Sequence, residues 1–226
     1  MKEAILDIQN STLKENLLLV KRRIYLCFKR LFDFTVALIA VIPFLLLLLL
    51  IKIIYMLSGD FNPVMFKHIR IKENGKEFGL YKFRTMVPNA EEILKEMLKN
   101  NKYREEWEEF HKFDDDPRIT KIGNILRKTS LDEIPQILNI LKGDMAIIGP
   151  RPLIQEEVDA YGKKKDKLLS VKPGLTGWWA VNGRSATTNK KRMELELFYV
   201  DNLSLKLDIK IFFMTIIKVF KRDGAK

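Results

Sequence analysis

One uncharged run, FTVALIAVIPFLLLLLLI over residues 34–51, is apolar on every side of a helix and includes six consecutive leucines, Leu45–Leu50. A helix of that extent is roughly 27 Å long, close to the hydrocarbon thickness of a bilayer, and a helix apolar all round belongs in lipid or in a deep core. A cleavable signal sequence is not expected, because a long charged segment precedes the run and no A-x-A-like site follows. Pro43 cannot donate to the carbonyl of Ile39 and crowds it, which predicts a kink at that point. Lys21, Arg22, Arg23, Lys29 and Arg30 precede the run, and Lys52, Lys67, Arg70 and Lys72 follow it. Basic flanks mark the cytoplasmic side. The pattern therefore predicts a re-entrant helix that bends at Pro43 and returns, with a straight span as the alternative.

Beyond the run, Val64–Ile71 and Glu77–Met86 read as two strands around Asn74-Gly75, a strong hairpin-turn dipeptide. In the second strand Tyr81 and Phe83 share one face, Lys82 and Arg84 the other. Ala90, Ile93, Leu94, Met97 and Leu98 fall at helical spacing and predict an amphipathic helix over about 90–99, and Trp107 and Phe110 continue an apolar stripe in a second segment. Near the C-terminus, Ile209, Phe212, Phe213, Ile216, Val219 and Phe220 cover one arc of a helical wheel, with Lys206, Lys210, Lys218 and Lys221 on the other. That is the pattern of a helix lying in the interface over anionic lipid. Ile211 and Ile217 interrupt its polar side, so packing on the body of the protein is the competing reading. Residues 11–32 show a weaker version of the pattern.

These elements give an α+β, helix-rich fold: a Pro-kinked re-entrant membrane helix, a small β-hairpin sheet and amphipathic interfacial helices. The expected division is a juxtamembrane segment 1–28, the re-entrant helix 29–58 and a cytoplasmic domain with membrane-associated helices, 59–226. Composition narrows the partners. The 226 residues are 47% hydrophobic and 31% charged, which excludes disorder, and 40 Lys+Arg against 29 Asp+Glu leave a net charge of +11. That excess suits nucleic acid, acidic lipid or phosphorylated substrates. The lone Cys27 excludes an internal disulfide and a cysteine-based zinc site, and two histidines, His68 and His111, give little material for a His-rich metal centre or a Ser-His-Asp triad. No nucleic-acid recognition motif appears, and the lysines are spread over membrane-flanking segments, so nucleic acid is not expected as a partner.

Candidate chemistry concentrates in DDDPRITKIGNILRKTSLDEIPQILNILKGDMAIIGPRP, residues 114–152. Pro135 fits a helix only in its first turn, so the helix containing IPQILNIL should start near Asp132. A carboxylate there is favoured in its ionised form by the helix dipole. Asp132 as an N-cap, or Ser130 and Glu133 as a capping box, explains the same residues without chemistry. Adjacent residues on a regular helix or strand point apart, so Asp132 and Glu133 can converge on one substrate only where the backbone is irregular. Arg118, Arg127, Lys128 and Arg151 surround the pair in sequence, and Pro150 and Pro152 restrict Arg151 in a way that suits phosphate capture.

The ordered motifs KRLFD (29–33), the Pro-broken apolar helix, YKFRTM (81–86), DDPRIT (115–120), LRKTSLDEIPQ (126–136), GDM (143–145), GPRP (149–152), KPGLTGW (172–178), VNGR (181–184) and YVDNLS (199–204) cover nearly everything from Lys29 onward. Together they resemble the bacterial sugar transferases, monotopic phosphoglycosyl transferases that act on polyprenyl phosphate and start O-antigen, capsule and exopolysaccharide synthesis. The resemblance implies a re-entrant anchor in the bacterial cytoplasmic membrane with the active site facing the cytoplasm. It implies Asp132 and Glu133 as the catalytic pair, with the aspartate attacking the β-phosphorus of a UDP-sugar. UMP leaves, and undecaprenyl phosphate then takes the sugar phosphate from the aspartyl adduct. Mg²⁺ would bridge Asp132, Glu133 and phosphate oxygens. Arg127 and Arg151 match phosphate-binding positions, and Arg118, Arg84 and Lys82 are further candidates; relatives imply a homodimer.

Two departures stand out: Ala180 where the family usually has glutamine, and Ala146 where it usually has serine. The stretch 87–107 and the ending RDGA look closest to the galactose and glucose branch. Members of that branch often carry an N-terminal multi-span region, which residues 1–28 are too short to replace. A catalytically silent, membrane-bound scaffold of glycan assembly is the competing function, and the intact acidic pair counts against it.

Overall fold

The computed structural model describes the backbone of residues 2–110, 113, 115–183 and 187–221, and side chains over 19–107, 113, 115–183 and 187–218. His111, Asp114, Arg184 and the RDGA ending lie outside the described residues, as do the side chains of Phe110, Val219 and Phe220.

Helix α1, Lys2–Leu57, contains the whole apolar run and continues through Pro43 without an intervening loop. Among the described residues, its stretch Leu19–Leu57 is the one helix long and apolar enough to cross a membrane. Among its described residues, Asp33, Ala37, Phe44, Ile51 and Tyr55 are buried, spaced so that they lie along a single face. Ile39, Ile42, Leu46 and Leu49 point outward, between 59% and 69% exposed. The buried stripe completes the main core with Phe78, Leu80, Phe83, Leu126, Ile137, Ile140 and Met145, and Phe44 stacks on Phe83 at 6.1 Å.

The expected hairpin is present. β1, Met65–Ile71, pairs antiparallel with β2, Glu77–Phe83, and Phe66 lies opposite Lys82. The connection carries positive φ at Asn74 and Gly75, as Asn-Gly turns require. Two short helices follow, α2 at Ala90–Met97 and α3 at Asn101–Phe110. Next comes α4, Lys121–Lys128, capped by the Thr120 hydroxyl, which accepts from the Gly123 N–H at 2.8 Å. Gly123 faces the end of β2 so closely that a Cβ there would lie 1.9 Å from the Thr85 carbonyl oxygen. The contact brings Arg127, one turn on, within 3.0 Å of the Thr85 hydroxyl through its Nε.

The segment LDEIPQ forms a 3₁₀ turn, Leu131–Gln136, which leads into α5, Ile137–Lys142. Ser130 precedes it in a left-handed conformation (φ 57°) and makes no side-chain cap bond. The Ser130 side-chain bond that a capping box requires is therefore not made. Two three-residue strands that the sequence pattern does not announce, β3 (Ala146–Ile148) and β4 (Gly174–Thr176), pair in parallel. Between them lie α6 (Gln155–Asp159) and α7 (Lys165–Leu168). A short helix α8, Trp178–Val181, precedes α9, Asn189–Asp201, and α10, Leu205–Lys221.

The outcome for α10 is split. Ile209, Phe212, Phe213 and Ile216 are exposed, as a lipid-facing arc would be, while Ile211, which interrupts the polar side, is fully buried beside Tyr199 and Val181. Asp208 of α10 accepts from Tyr25 at 2.6 Å and from Tyr199 at 2.8 Å, and it ion-pairs with Lys29. This ties both chain ends to the same body.

Candidate active site

The 3₁₀ turn gives Asp132 and Glu133 a shared partner that a regular helix would deny them. Lys82, on the face of β2 toward the turn, places its Nζ 3.0 Å from Glu133 Oε1 and 3.8 Å from Asp132 Oδ2. Both carboxylates are largely buried. Burial pushes the Asp132 carboxyl above the usual aspartate range; Lys82 opposes this, Glu133 reinforces it, and Arg127 opposes it. Two adjacent acids that share one lysine suit a carboxylate that acts as a nucleophile beside a second that is ion-paired.

The other sequence candidates divide. Arg127 lies close enough to Asp132 for their charges to interact, and its Nε is held by Thr85. Arg151 lines the same cleft as Lys82 and Glu133, with its guanidinium 5.3 Å from the centre of the Trp179 ring. Arg84 is engaged elsewhere: it donates to Asp60 at 2.7 Å, to the Pro63 carbonyl and to the Met86 carbonyl, and it covers the Tyr55 ring. Arg118 is buried in a bidentate pair with Asp116 beside the rings of Trp107 and Phe113, 5.4 Å from the centre of each. Those two arginines brace the end of β2 and the DPRIT segment through these partners.

The cleft, about 520 Å³ including its open mouth, is bounded by Lys82, Glu133, Gln136, Arg151, Trp179 and the tight backbone of GPRP against KPGLTG. A Cβ on Gly174 would lie 2.1 Å from the Gly149 nitrogen, and one on Gly177 2.1 Å from the Gly149 oxygen, so both motifs owe their glycines to this contact. Ala180, where the resemblance leads one to expect glutamine, lines the cleft. Ala146 is buried in β3 and bears on packing.

Two charged residues of this wall, Arg70 and Glu196, and two behind it, Glu157 and Arg192, are not singled out by their local sequence. Glu157 bridges Arg70 at 3.3 Å and Arg192 at 2.9 Å. Glu196 is 1% exposed and accepts from the Arg151 N–H at 3.1 Å. Each residue is ordinary in its local sequence; the signal is their convergence, which only the fold supplies.

Among the described residues, no group of three or more His, Cys, Asp or Glu side chains could hold a metal by itself. Two adjacent carboxylates are a donor set that fits Mg²⁺ when substrate phosphates complete the shell.

The chain matches the family model described as bacterial sugar transferase over residues 24–222. It is 46% identical over 178 residues to an undecaprenyl-phosphate galactose phosphotransferase of Salmonella typhimurium, covering 78% of this chain and 37% of that protein. It is 44% identical to a UDP-galactose-lipid carrier transferase of Erwinia amylovora, covering 87% of this chain and 41% of that protein. The exopolysaccharide production protein ExoY of Sinorhizobium fredii is 42% identical, with 87% of each chain covered. The chain thus spans about two fifths of the first two relatives and most of the third.

Proposed function

This chain belongs to the bacterial sugar transferase family, and from that premise we propose that it transfers a hexose 1-phosphate from a UDP-sugar to undecaprenyl phosphate. The observation that carries the proposal is the placement of Asp132 and Glu133 on an irregular turn, both facing Lys82. An Asp132 oxygen attacks the β-phosphorus, the bond from that phosphorus to the α–β bridging oxygen breaks, and UMP leaves with the electron pair. An oxygen of undecaprenyl phosphate then attacks the same phosphorus. The aspartyl oxygen–phosphorus bond breaks and the free carboxylate returns, leaving the lipid diphosphate sugar.

Lys82 favours the ionised form of Asp132, Arg127 and Arg151 offer donors to the phosphate oxygens, and Glu133 is paired with Lys82. Asp132 and Glu133 would hold Mg²⁺, which supplies charge neutralisation for the diphosphate. A galactose- or glucose-type sugar is favoured, in line with the galactose named in the Salmonella and Erwinia relatives. The catalytic body faces the cytoplasm, with α1 embedded from that side of the bacterial inner membrane.

The test is UMP release by the purified full chain in nanodiscs with Mg²⁺ and undecaprenyl phosphate across a panel of UDP-sugars. Release with at least one UDP-hexose is expected, and Asp132→Asn should abolish both release and any covalent adduct. No release with any sugar would replace the transferase by the silent scaffold.

A further inference from the structure

Among the described residues, the buried side-chain nitrogen and oxygen atoms without a hydrogen-bond partner are Arg70 Nε, Arg151 Nε, Arg192 Nε, the Tyr161 hydroxyl and Glu196 Oε2. Buried polar atoms are normally satisfied, so each such atom calls for a water, an ion or a ligand. Here they fall in one cluster. Glu157 joins Arg70 to Arg192, Arg151 and Arg192 both lie over the Trp179 ring, and Glu196 holds the Arg151 backbone. Arg192 and Tyr161 stand behind the wall, where ordered water can serve them. Arg70, Arg151 and Glu196 line the cleft itself, beside Trp179 and in continuity with Lys82 and Glu133.

The chemistry of these three groups restricts the ligand. Two guanidinium groups call for an anion with several oxygens. The unpartnered Glu196 oxygen in the same cleft disfavours a bare phosphate and calls for an N–H or O–H close to the anionic group. Burial pushes Glu196 up to about 7, against the pull of the Arg151 N–H and the Arg151 and Arg192 charges, so a donor on the ligand would favour its ionised form. Direction matters as well. In an in-line displacement the leaving group departs on the side of phosphorus opposite the nucleophile. Asp132 shares Lys82 with Glu133, which lines the cleft, so the leaving half of the donor is carried away from the acidic pair and into the cleft that Arg151 and Glu196 also line.

We infer that Arg70, Arg151, Trp179 and Glu196 form the seat of the donor's nucleoside monophosphate, with its phosphate on the two arginines and a nucleoside N–H or O–H on Glu196 Oε2. This rests on the transfer reaction proposed above. It makes Arg70 and Glu196 substrate-binding residues, with Glu196 also positioning Arg151 through its other oxygen.

The experiment measures equilibrium binding of UMP to the full chain in nanodiscs by calorimetry, with galactose 1-phosphate and inorganic phosphate as comparison ligands. UMP should bind more tightly than either. Arg70→Gln and Glu196→Gln should each weaken UMP by about tenfold, the worth of one charge-assisted hydrogen bond, and leave galactose 1-phosphate unchanged. Glu196→Gln keeps an acceptor for the Arg151 N–H, so it serves where Glu196→Ala does not fold, and thermal unfolding of each variant checks the fold. UMP affinity within twofold of wild type in both folded variants would overturn the seat, as would the loss falling on galactose 1-phosphate instead. UMP binding needs no turnover. If UMP binds here while no UDP-sugar is consumed, the transferase reading falls and the seat stands.

Discussion

Lys82 on β2 reaches across to the 3₁₀ turn and sets its ammonium 3.0 Å from Glu133 Oε1. The pair joins the hairpin to the helix-start segment, and Asp132 at 3.8 Å shares the same cation. One lysine thus faces two adjacent acids. In such a dyad the measured ionisations belong to the pair.

Replacing Lys82 by Met should therefore change the pH dependence as well as the rate. The nucleophile works ionised, so activity is present above its apparent pKa and lost as pH falls through it. Burial already raises Asp132, and Lys82 is the largest opposing influence. Without it the acid limb of the UMP-release profile should move to higher pH. The rate at neutral pH should drop roughly ten- to hundredfold, the worth of about 1.5–3 kcal/mol for a charged hydrogen bond. A lower rate with an unmoved acid limb would mean that Lys82 acts on the substrate alone.

Gly123→Ala should act at a distance from the chemistry. The added methyl would meet the Thr85 carbonyl at 1.9 Å, and a backbone atom cannot swing aside. α4 must move off β2, and the 3.0 Å bond from Arg127 Nε to the Thr85 hydroxyl goes with it. Overpacking of this kind costs about 1–3 kcal/mol, which lowers Tm by roughly 2–12 °C in a domain of this size. A raised KM for the UDP-sugar alongside the lower Tm would show that Arg127 is displaced; an unchanged KM would remove it from phosphate binding.

How legible was this arrangement in the chain itself? Asn74-Gly75 announces its hairpin because two positive-φ residues in a row admit few other structures. Pro135 announces the irregular start that lets Asp132 and Glu133 converge. β3 and β4 announce nothing: AII and GLT are too short to show a period, and their pairing depends on Gly149 and Gly174 meeting across the fold. Ile211 misleads for a related reason. A helical wheel assumes one apolar environment, whereas α10 has two, with Ile211 in the core and Phe212 and Phe213 outside it. Glu196, in an alternating E-L-E-L stretch of α9, looks solvent-facing until the position of Arg151 is known.

Tyr199→Phe should destabilise without touching the chemistry. The Tyr199 hydroxyl donates to Asp208 Oδ1 at 2.8 Å, while Tyr25 and Lys29 serve Oδ2. Removing the hydroxyl leaves one oxygen of a buried carboxylate short of a donor, a loss of about 1–3 kcal/mol. Thermal unfolding should shift down by roughly 2–12 °C, with kcat for UMP release unchanged in the folded fraction. A drop in kcat without a drop in Tm would place Tyr199 in the reaction instead.

The last prediction concerns how α1 meets the membrane. Arg30 donates to the carbonyls of Ile140 and Leu141, and Tyr55 donates to the carbonyl of Arg84. Between them Ala37, Phe44 and Ile51 pack on the same body. The catalytic body therefore accompanies the helix along roughly 37 Å of its length. An upright spanning helix would drag that charged body through the hydrocarbon, where charged side chains are costly. With the body in water on one side, the outward faces at Ile39, Ile42, Leu46 and Leu49 can still enter lipid, and both flanks stay on the side of entry. Cysteines at Val20 and Asn62, each in a Cys27→Ser background, report on the two flanks. A membrane-impermeant maleimide should label both in inside-out vesicles and neither in spheroplasts. Labelling of one flank in each preparation would establish a spanning helix and overturn the re-entrant arrangement.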